Sequence, residues 1–316
     1  MNLANHRTYP HALLIGLMLF FSSGDNLQAM ERPLIASLSS RNSQHYLQVI
    51  EGFEQQVSRK FPEAEFVRYF LQKQPEKNRS LLQEINEQKP LLLLTLGSKA
   101  TRSGLSSIPE VPVVAGMILN EQILGQSPRA TGVLLSYPPE VHLQWLRRFL
   151  PSINRVSMLY NPQENSQLID GMRKTAKQFA IEIDAMPVTS PTQLPPALKS
   201  LGRKADMLLG MPDKTAYSGK TAKAVLLSTF RNRIPFAGLS PSWVKAGALY
   251  ALTWNYMDLG RQCGLIAEKI LKGTAMADIT PLTPEKVCYE INLKTADHLR
   301  LTFDPALIQG ATKVYK

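Results

Sequence analysis

A chain of 316 residues, 44% of them hydrophobic and with a formal net charge of +11, is long enough for one large or two ordinary domains with real cores. The positive balance favours anionic partners, yet Lys and Arg are scattered and no nucleic-acid motif is present, so nucleic acid is not an expected partner. The charge reads instead as solvated surface beside anionic lipid.

Met1 to His11 carries Arg7, Ala12 to Phe21 is an unbroken apolar run, and Ser22-Ser23-Gly24 closes it. These are the parts of a cleavable signal peptide over 1–29, with Leu27-Gln28-Ala29 placing cleavage near Ala29. The run is too short for a comfortable membrane span, which disfavours an uncleaved anchor. No cysteine follows it to hold a lipid, so a soluble periplasmic protein is expected.

Beyond the leader, strand and helix patterns alternate. Pro33-Leu34-Ile35-Ala36 begins a strand, Tyr46, Val49, Ile50, Phe53 and Val57 mark a helix, and Glu65 to Leu71 alternates as a strand. Leu91 to Gly97 is a central strand by composition, with Ser98-Lys99-Ala100-Thr101 turning into a helix, and Val111 to Met117 follows. After Thr131 to Ser136 the chain turns through Pro138-Pro139 into a helix over Val141 to Leu150 and a strand over Val156 to Tyr160. The order repeats with helices at 164–180, 192–201 and 218–232 and strands at 181–186 and 206–211. Alternation at this spacing predicts an α/β protein with parallel sheets flanked by helices.

Ile234 to Gly273 condenses the pattern into strand, polar turn (Ser240-Pro241-Ser242), short helix, second strand and long amphipathic helix. Leu259, Cys263, Ile266, Ile270 and Leu271 recur at helical spacing, and Lys272-Gly273 closes the helix. Val287-Cys288-Tyr289 reads as a further strand.

Within this stretch stand Trp243-Val244-Lys245-Ala246-Gly247-Ala248-Leu249, Tyr256-Met257-Asp258-Leu259-Gly260-Arg261-Gln262 and Lys269-Ile270-Leu271-Lys272-Gly273. Together with Thr131-Gly132-Val133, Leu150-Pro151, Leu159-Tyr160-Asn161-Pro162 and Ile291-Asn292-Leu293-Lys294-Thr295-Ala296, they resemble the tryptophan-type (TrpX-like) substrate-binding proteins of ABC transporters. The resemblance implies the type I periplasmic binding protein fold, two Rossmann-like lobes with a ligand cleft between them. Lobe one would combine 31–135 with 250–278, and lobe two 136–249 with 279–316. Cys263 and Cys288 then fall in different lobes, where a disulfide would clamp the hinge. Two buried thiols are the expectation, with a bridge the alternative.

Ligands of open α/β sheets bind at strand carboxyl ends. There, Gly97-Ser98-Lys99 offers a close backbone approach and helix N–H groups to a carboxylate or phosphate, although the same turn serves many α/β proteins without binding anything. Ser37 and Ser39 close the first strand under the same two readings. Asp213 matches the aspartate of a "p.Dnt" stretch in the resembled family and would pair with a ligand ammonium group, or cap a helix. Ser240 and Ser242 bring hydroxyls to the cleft end, while Tyr137 and Trp254 either stack on a flat ligand or fill core. Leu119-Asn120-Glu121-Gln122 stands where the family has a "tDPv" segment, which puts the usual ligand in doubt.

His45, His142 and His298 are the only histidines after the leader, and none lies in a nucleophile, metal or acid/base signature. Neither catalysis, a metal nor a cofactor is expected. The resemblance implies a monomer that binds a small organic ligand, such as an amino acid or related carboxylate, and presents it to an inner-membrane ABC permease. A sensor of the same fold that signals to a membrane receptor is the alternative.

Overall fold

The computed structural model describes residues 32–316, so the expected leader lies outside the described residues. In the first half, β1 (Leu34–Ser39), α1 (Gln44–Ser58), β2 (Glu65–Phe70), α2 (Pro75–Gln88), β3 (Leu92–Leu96), α3 (Ser98–Ser107), β4 (Val113–Ile118) and β5 (Ala130–Leu134) follow in order. The strands form one parallel sheet, β2-β1-β3-β4-β5. Its centre, β3, is buried on both faces. Leu92, Leu94 and Leu96 enter one core and Leu93 the opposite one, as a period of two requires of a strand covered on both sides.

The second half runs α4 (Pro139–Phe149), β6 (Arg155–Tyr160), α5 (Pro162–Ala176), β7 (Glu182–Pro187), α6 (Leu194–Lys204), β8 (Met207–Leu209), α7 (Ala222–Arg231), β9 (Phe236–Ala237), α8 (Pro241–Lys245) and β10 (Tyr250–Trp254). It ends with α9 (Tyr256–Leu271), β11 (Val287–Asn292), α10 (Leu293–His298), α11 (Pro305–Gln309) and β12 (Lys313–Tyr315). The strands make a sheet β12-β11-β10-β9-β8-β6-β7, in which only β10 and β11 pair antiparallel. The α/β class expected from the alternation is therefore present twice, as two mostly parallel sheets.

α9 leaves the second sheet and packs on the first. Its Leu259, Cys263, Ile266 and Ala267 share a core with Val49, Ile50, Phe53 and Val57 of α1. The two helices come into backbone contact because Gly260 and Gly52 have no side chain: a methyl on Gly260 would overlap the Val49 carbonyl oxygen, and one on Gly52 the Met257 carbonyl oxygen. Buried Gln56 seals the pair by donating to Glu268 at 2.7 Å.

The chain passes between the two sheets three times. Tyr250–Trp254, expected with the first sheet, pairs with β9 and β11 in the second. Residues 279–286, expected with the second sheet, are bonded to the first: Thr131 Oγ1 donates to the Ile279 carbonyl at 2.9 Å, and Leu282 exchanges backbone bonds with Gly132 and Leu134. The transitions thus fall beside Tyr137, Asn255 and Val287. Cys263 is buried in the first core and Cys288 lies half-buried on β11, both as free thiols.

Candidate functional site

At the carboxyl end of β3, Gly97 takes a φ of +85° and α3 starts at the next residue. A side chain there would also sit 2.8 Å from Ser40 Oγ and 3.0 Å from the Tyr46 hydroxyl, so glycine serves both the backbone turn and the crowding. Ser40 Oγ accepts the Ala100 N–H at 2.9 Å, capping α3 from the neighbouring strand end. Ser98 and Lys99, the first two helical residues, keep amides with no intrahelical acceptor. Ser39, fully buried at the end of β1, has a hydroxyl without a partner among the described residues. Such a group costs free energy unless something else bonds it.

Aromatic rings border this corner. Tyr46 on α1 is half-buried; burial raises its phenol, partly offset by the nearby Arg41 guanidinium. His45 stacks on Tyr256 at 4.3 Å between centroids and 14° between planes, joining the amino ends of α1 and α9. Tyr256 in turn feels both Tyr46 and Glu290, after burial the main causes of its raised phenol. Trp254 continues the series, 6.3 Å from Tyr137 with near-parallel planes, and its indole N–H is buried without an acceptor among the described residues.

Other residues singled out in the sequence are placed differently. Ser37 Oγ donates to the Val67 carbonyl at 3.4 Å, a bond within the sheet. Exposed Lys99 lines a shallow groove of about 520 Å³ between α2 and α3, with Pro75, Asn78 and Arg79. Tyr137 is buried, and its hydroxyl lies 2.7 Å from the Thr253 carbonyl and 2.9 Å from that of Lys286. Burial pushes this phenol far up. On the second sheet Ser240 and Ser242 hydroxyls bond each other at 2.8 Å beside α8.

Asp213 is not available to a ligand ammonium group in this arrangement. Its Oδ2 accepts from the Asn161 N–H at 2.6 Å and Asn165 Nδ2 at 2.9 Å. Its Oδ1 accepts from the N–H groups of Thr215 at 2.9 Å and Ala216 at 2.8 Å. Four donors fill both oxygens of a carboxylate that is 5% exposed, and they tie the turn after β8 to the end of β6. Tyr46 and His45 are not singled out by the sequence, since a tyrosine on the apolar stripe of α1 and a histidine outside any motif each look like ordinary helix positions. The signal available is that both open the helix directly after the serine-rich end of β1.

Residues 52–315 match the family model described as ABC transporter substrate binding protein. The chain belongs to this family. Solved structures agree in fold. A substrate binding protein with adhesive properties from Clostridium difficile, in its ligand-free, open structure, aligns with a TM-score of 0.74 at 18% identity, covering 90% of this chain and 99% of that one. An ABC domain from Streptococcus pneumoniae in complex with L-Trp aligns at 0.60 with 17% identity, covering 90% and 99%. An uncharacterised protein of Rickettsia prowazekii is 24% identical over 218 residues, 68% of this chain and 69% of that protein. Family and fold are thus those of substrate-binding proteins and not of enzymes. Among the described residues no group of His, Cys, Asp and Glu is placed to hold a metal ion, and no helix is long and apolar enough to cross a membrane.

Proposed function

We propose that this family member is the periplasmic substrate-binding component of an ABC importer, and that its two sheets with their helices are lobes that close over a small planar ligand bearing a carboxylate. The observation that carries this reading is the polar corner at Gly97. Amides at the start of α3 that have no intrahelical acceptor stand beside Ser40 and Tyr46, an unpartnered, buried Ser39 hydroxyl closes the neighbouring strand, and His45, Tyr256 and Trp254 supply aromatic surface at the starts of α1 and α9 and the end of β10. A carboxylate satisfies amides at a helix start, and a flat apolar group covers Tyr46, Tyr256 and Trp254. The lobes are 33–136 with 255–286, and 137–254 with 287–316. Export through the leader at 1–29 delivers the protein to the compartment where a permease presents its outer face.

The test is thermal stabilisation of protein that has been unfolded and refolded to strip carried-over ligand, screened with L-tryptophan, L-tyrosine, other amino acids, organic acids and sugars. A ligand at a hundred times its Kd adds about 2.7 kcal/mol. Stabilisation by a planar carboxylate, lost when Ser40 and Tyr46 are replaced by Ala and Phe, supports the reading. Stabilisation by neutral sugars alone overturns the carboxylate assignment.

A further inference from the structure

One hydroxyl stands at the meeting point of all three passages between the sheets. Tyr137 lies on the first passage, directly before Pro138-Pro139, so its backbone is restricted to extended conformations and α4 begins at once behind it. Its ring is held on one face by Trp254 and at its edge by His142, 6.2 Å away. Its hydroxyl reaches the carbonyls of Thr253, the penultimate residue of β10 on the second passage, and Lys286, the residue before β11 on the third. β10 and β11 pair from Tyr250–Ile291 to Trp254–Val287, and beyond this last pair the two chains part toward the first sheet. The hydroxyl bridges the fork where they part.

The far side of the fork is fixed to the first sheet. Gln262 of α9 donates to the Thr283 carbonyl at 3.2 Å and accepts from the Glu285 N–H at 3.3 Å. Arg261 pairs with Glu285 at 2.7 Å, and Lys286 with buried Asp258 at 3.1 Å. Residues 279–286 therefore move with α9, and everything after Val287 moves with β10. Motion between the two bodies has to be taken up within a few bonds of Thr253, Tyr137 and Lys286.

We infer that Tyr137 is a positioning residue of the hinge: its hydroxyl ties the three passages at one point and so sets the angle at which the unliganded lobes rest. The phenol has one hydrogen for two carbonyls, so it donates to either in turn and holds both without locking either. Replacing it by Phe keeps ring, stacking and packing and removes the tie alone. This inference rests on the proposal that the two sheets are mobile lobes.

The experiment is pulsed electron resonance on the ligand-free protein, with spin labels at Lys77→Cys on α2 and Lys174→Cys on α5, both exposed. Cys288 is replaced by Ser, and buried Cys263, whose thiol burial pushes up to about 12, stays unlabelled. Tyr137→Phe should broaden the interlobe distance distribution and move its centre, by several ångströms, whereas Tyr217→Phe, a buried tyrosine within the second core, should leave it as in the parent. Equal distributions for parent and Tyr137→Phe overturn the inference, even if the variant melts lower, because a merely structural bond would show only in melting. A single narrow distance in the parent that no ligand of the stability screen shifts overturns the mobile-lobe proposal instead. Amide exchange on the unlabelled parent gives a second measure: amides of 283–285 and Asn255 exchanging no faster than those of β10 and β11 would also count against a hinge at this point.

Discussion

Replacing Asp213 by Ala tests whether a carboxylate at a strand end serves the fold or the ligand. The substitution leaves four donors without their acceptor: the Asn161 N–H, Asn165 Nδ2, the Ala216 N–H and the Thr215 N–H. The first three bonds are buried and the fourth is partly exposed, so water can replace the acceptor easily only at Thr215. An orphaned buried donor costs about 1–3 kcal/mol, with bonds to a charged group toward the upper end, while water entering the vacated space recovers part. Three such donors put the expected loss at about 3–5 kcal/mol of stability in the ligand-free protein. Urea unfolding of refolded, ligand-free protein, followed by fluorescence, measures it as a lower midpoint at unchanged slope. The affinity of folded variant for whichever compound stabilises the parent should change less than about threefold. A ligand-free stability within 1 kcal/mol of the parent, with affinity lost by a hundredfold or more, would refute the reasoning and assign the carboxylate to the ligand.

Gly260→Ala should lose about 2 kcal/mol of stability, since overlap with the Val49 carbonyl drives α1 and α9 apart and outweighs the gain of about 1 kcal/mol in helix propensity; thermal or urea unfolding that shows a gain instead would deny the close approach. Burial raises the Asp258 carboxyl, but Arg261 and Lys286 more than offset this and hold it below its ordinary value. Its contribution is therefore complete above about pH 4 and lost as pH falls below that through the folded value, so Asp258→Asn should flatten the acid limb of a stability profile and leave its shape near pH 7 unchanged.

Strongly periodic segments are legible in the sequence. Leu91 to Gly97, the helix of Tyr46 to Val57 and the helix after Thr253 each have one arrangement that buries their apolar residues, and the fold adopts it. α2 is not legible, because only Leu81, Leu82 and Ile85 in its 14 residues carry an apolar pattern and Pro75 at its start reads equally well as a turn. The placement of β10 is likewise hidden. Its sequence suits any buried strand, and its neighbours are chosen by β9 and β11, whose pairing is long-range. The same limit applies to side chains: Asp213 and Tyr137 stand out as unusual residues at strand ends, but whether their polar atoms face a ligand or the protein depends on Asn161, Asn165, Thr253 and Lys286, all distant in sequence or silent in type.

Once those partners are known, the polar clusters at the strand ends of the two sheets differ in chemistry. On the second, Asp213, Asn161, Asn165 and Thr215 satisfy one another, with Asn161 Nδ2 donating to Thr215 Oγ1 at 2.9 Å and its Oδ1 accepting from the Gln163 N–H, and Ser240 and Ser242 pair together. On the first, Ser39, Ser98 and Lys99 retain unmet capacity at one corner. Ser39 is already desolvated there and gains a bond from a ligand without losing one, whereas the Asp213 cluster has to break internal bonds to give any; the indole N–H of Trp254, on β10 of the second sheet, is likewise buried without a partner among the described residues. On the proposed reading, a carboxylate is taken up at the Gly97 corner of the first sheet, and Trp254, which packs against both cores, stands where closure of the second over it would be felt.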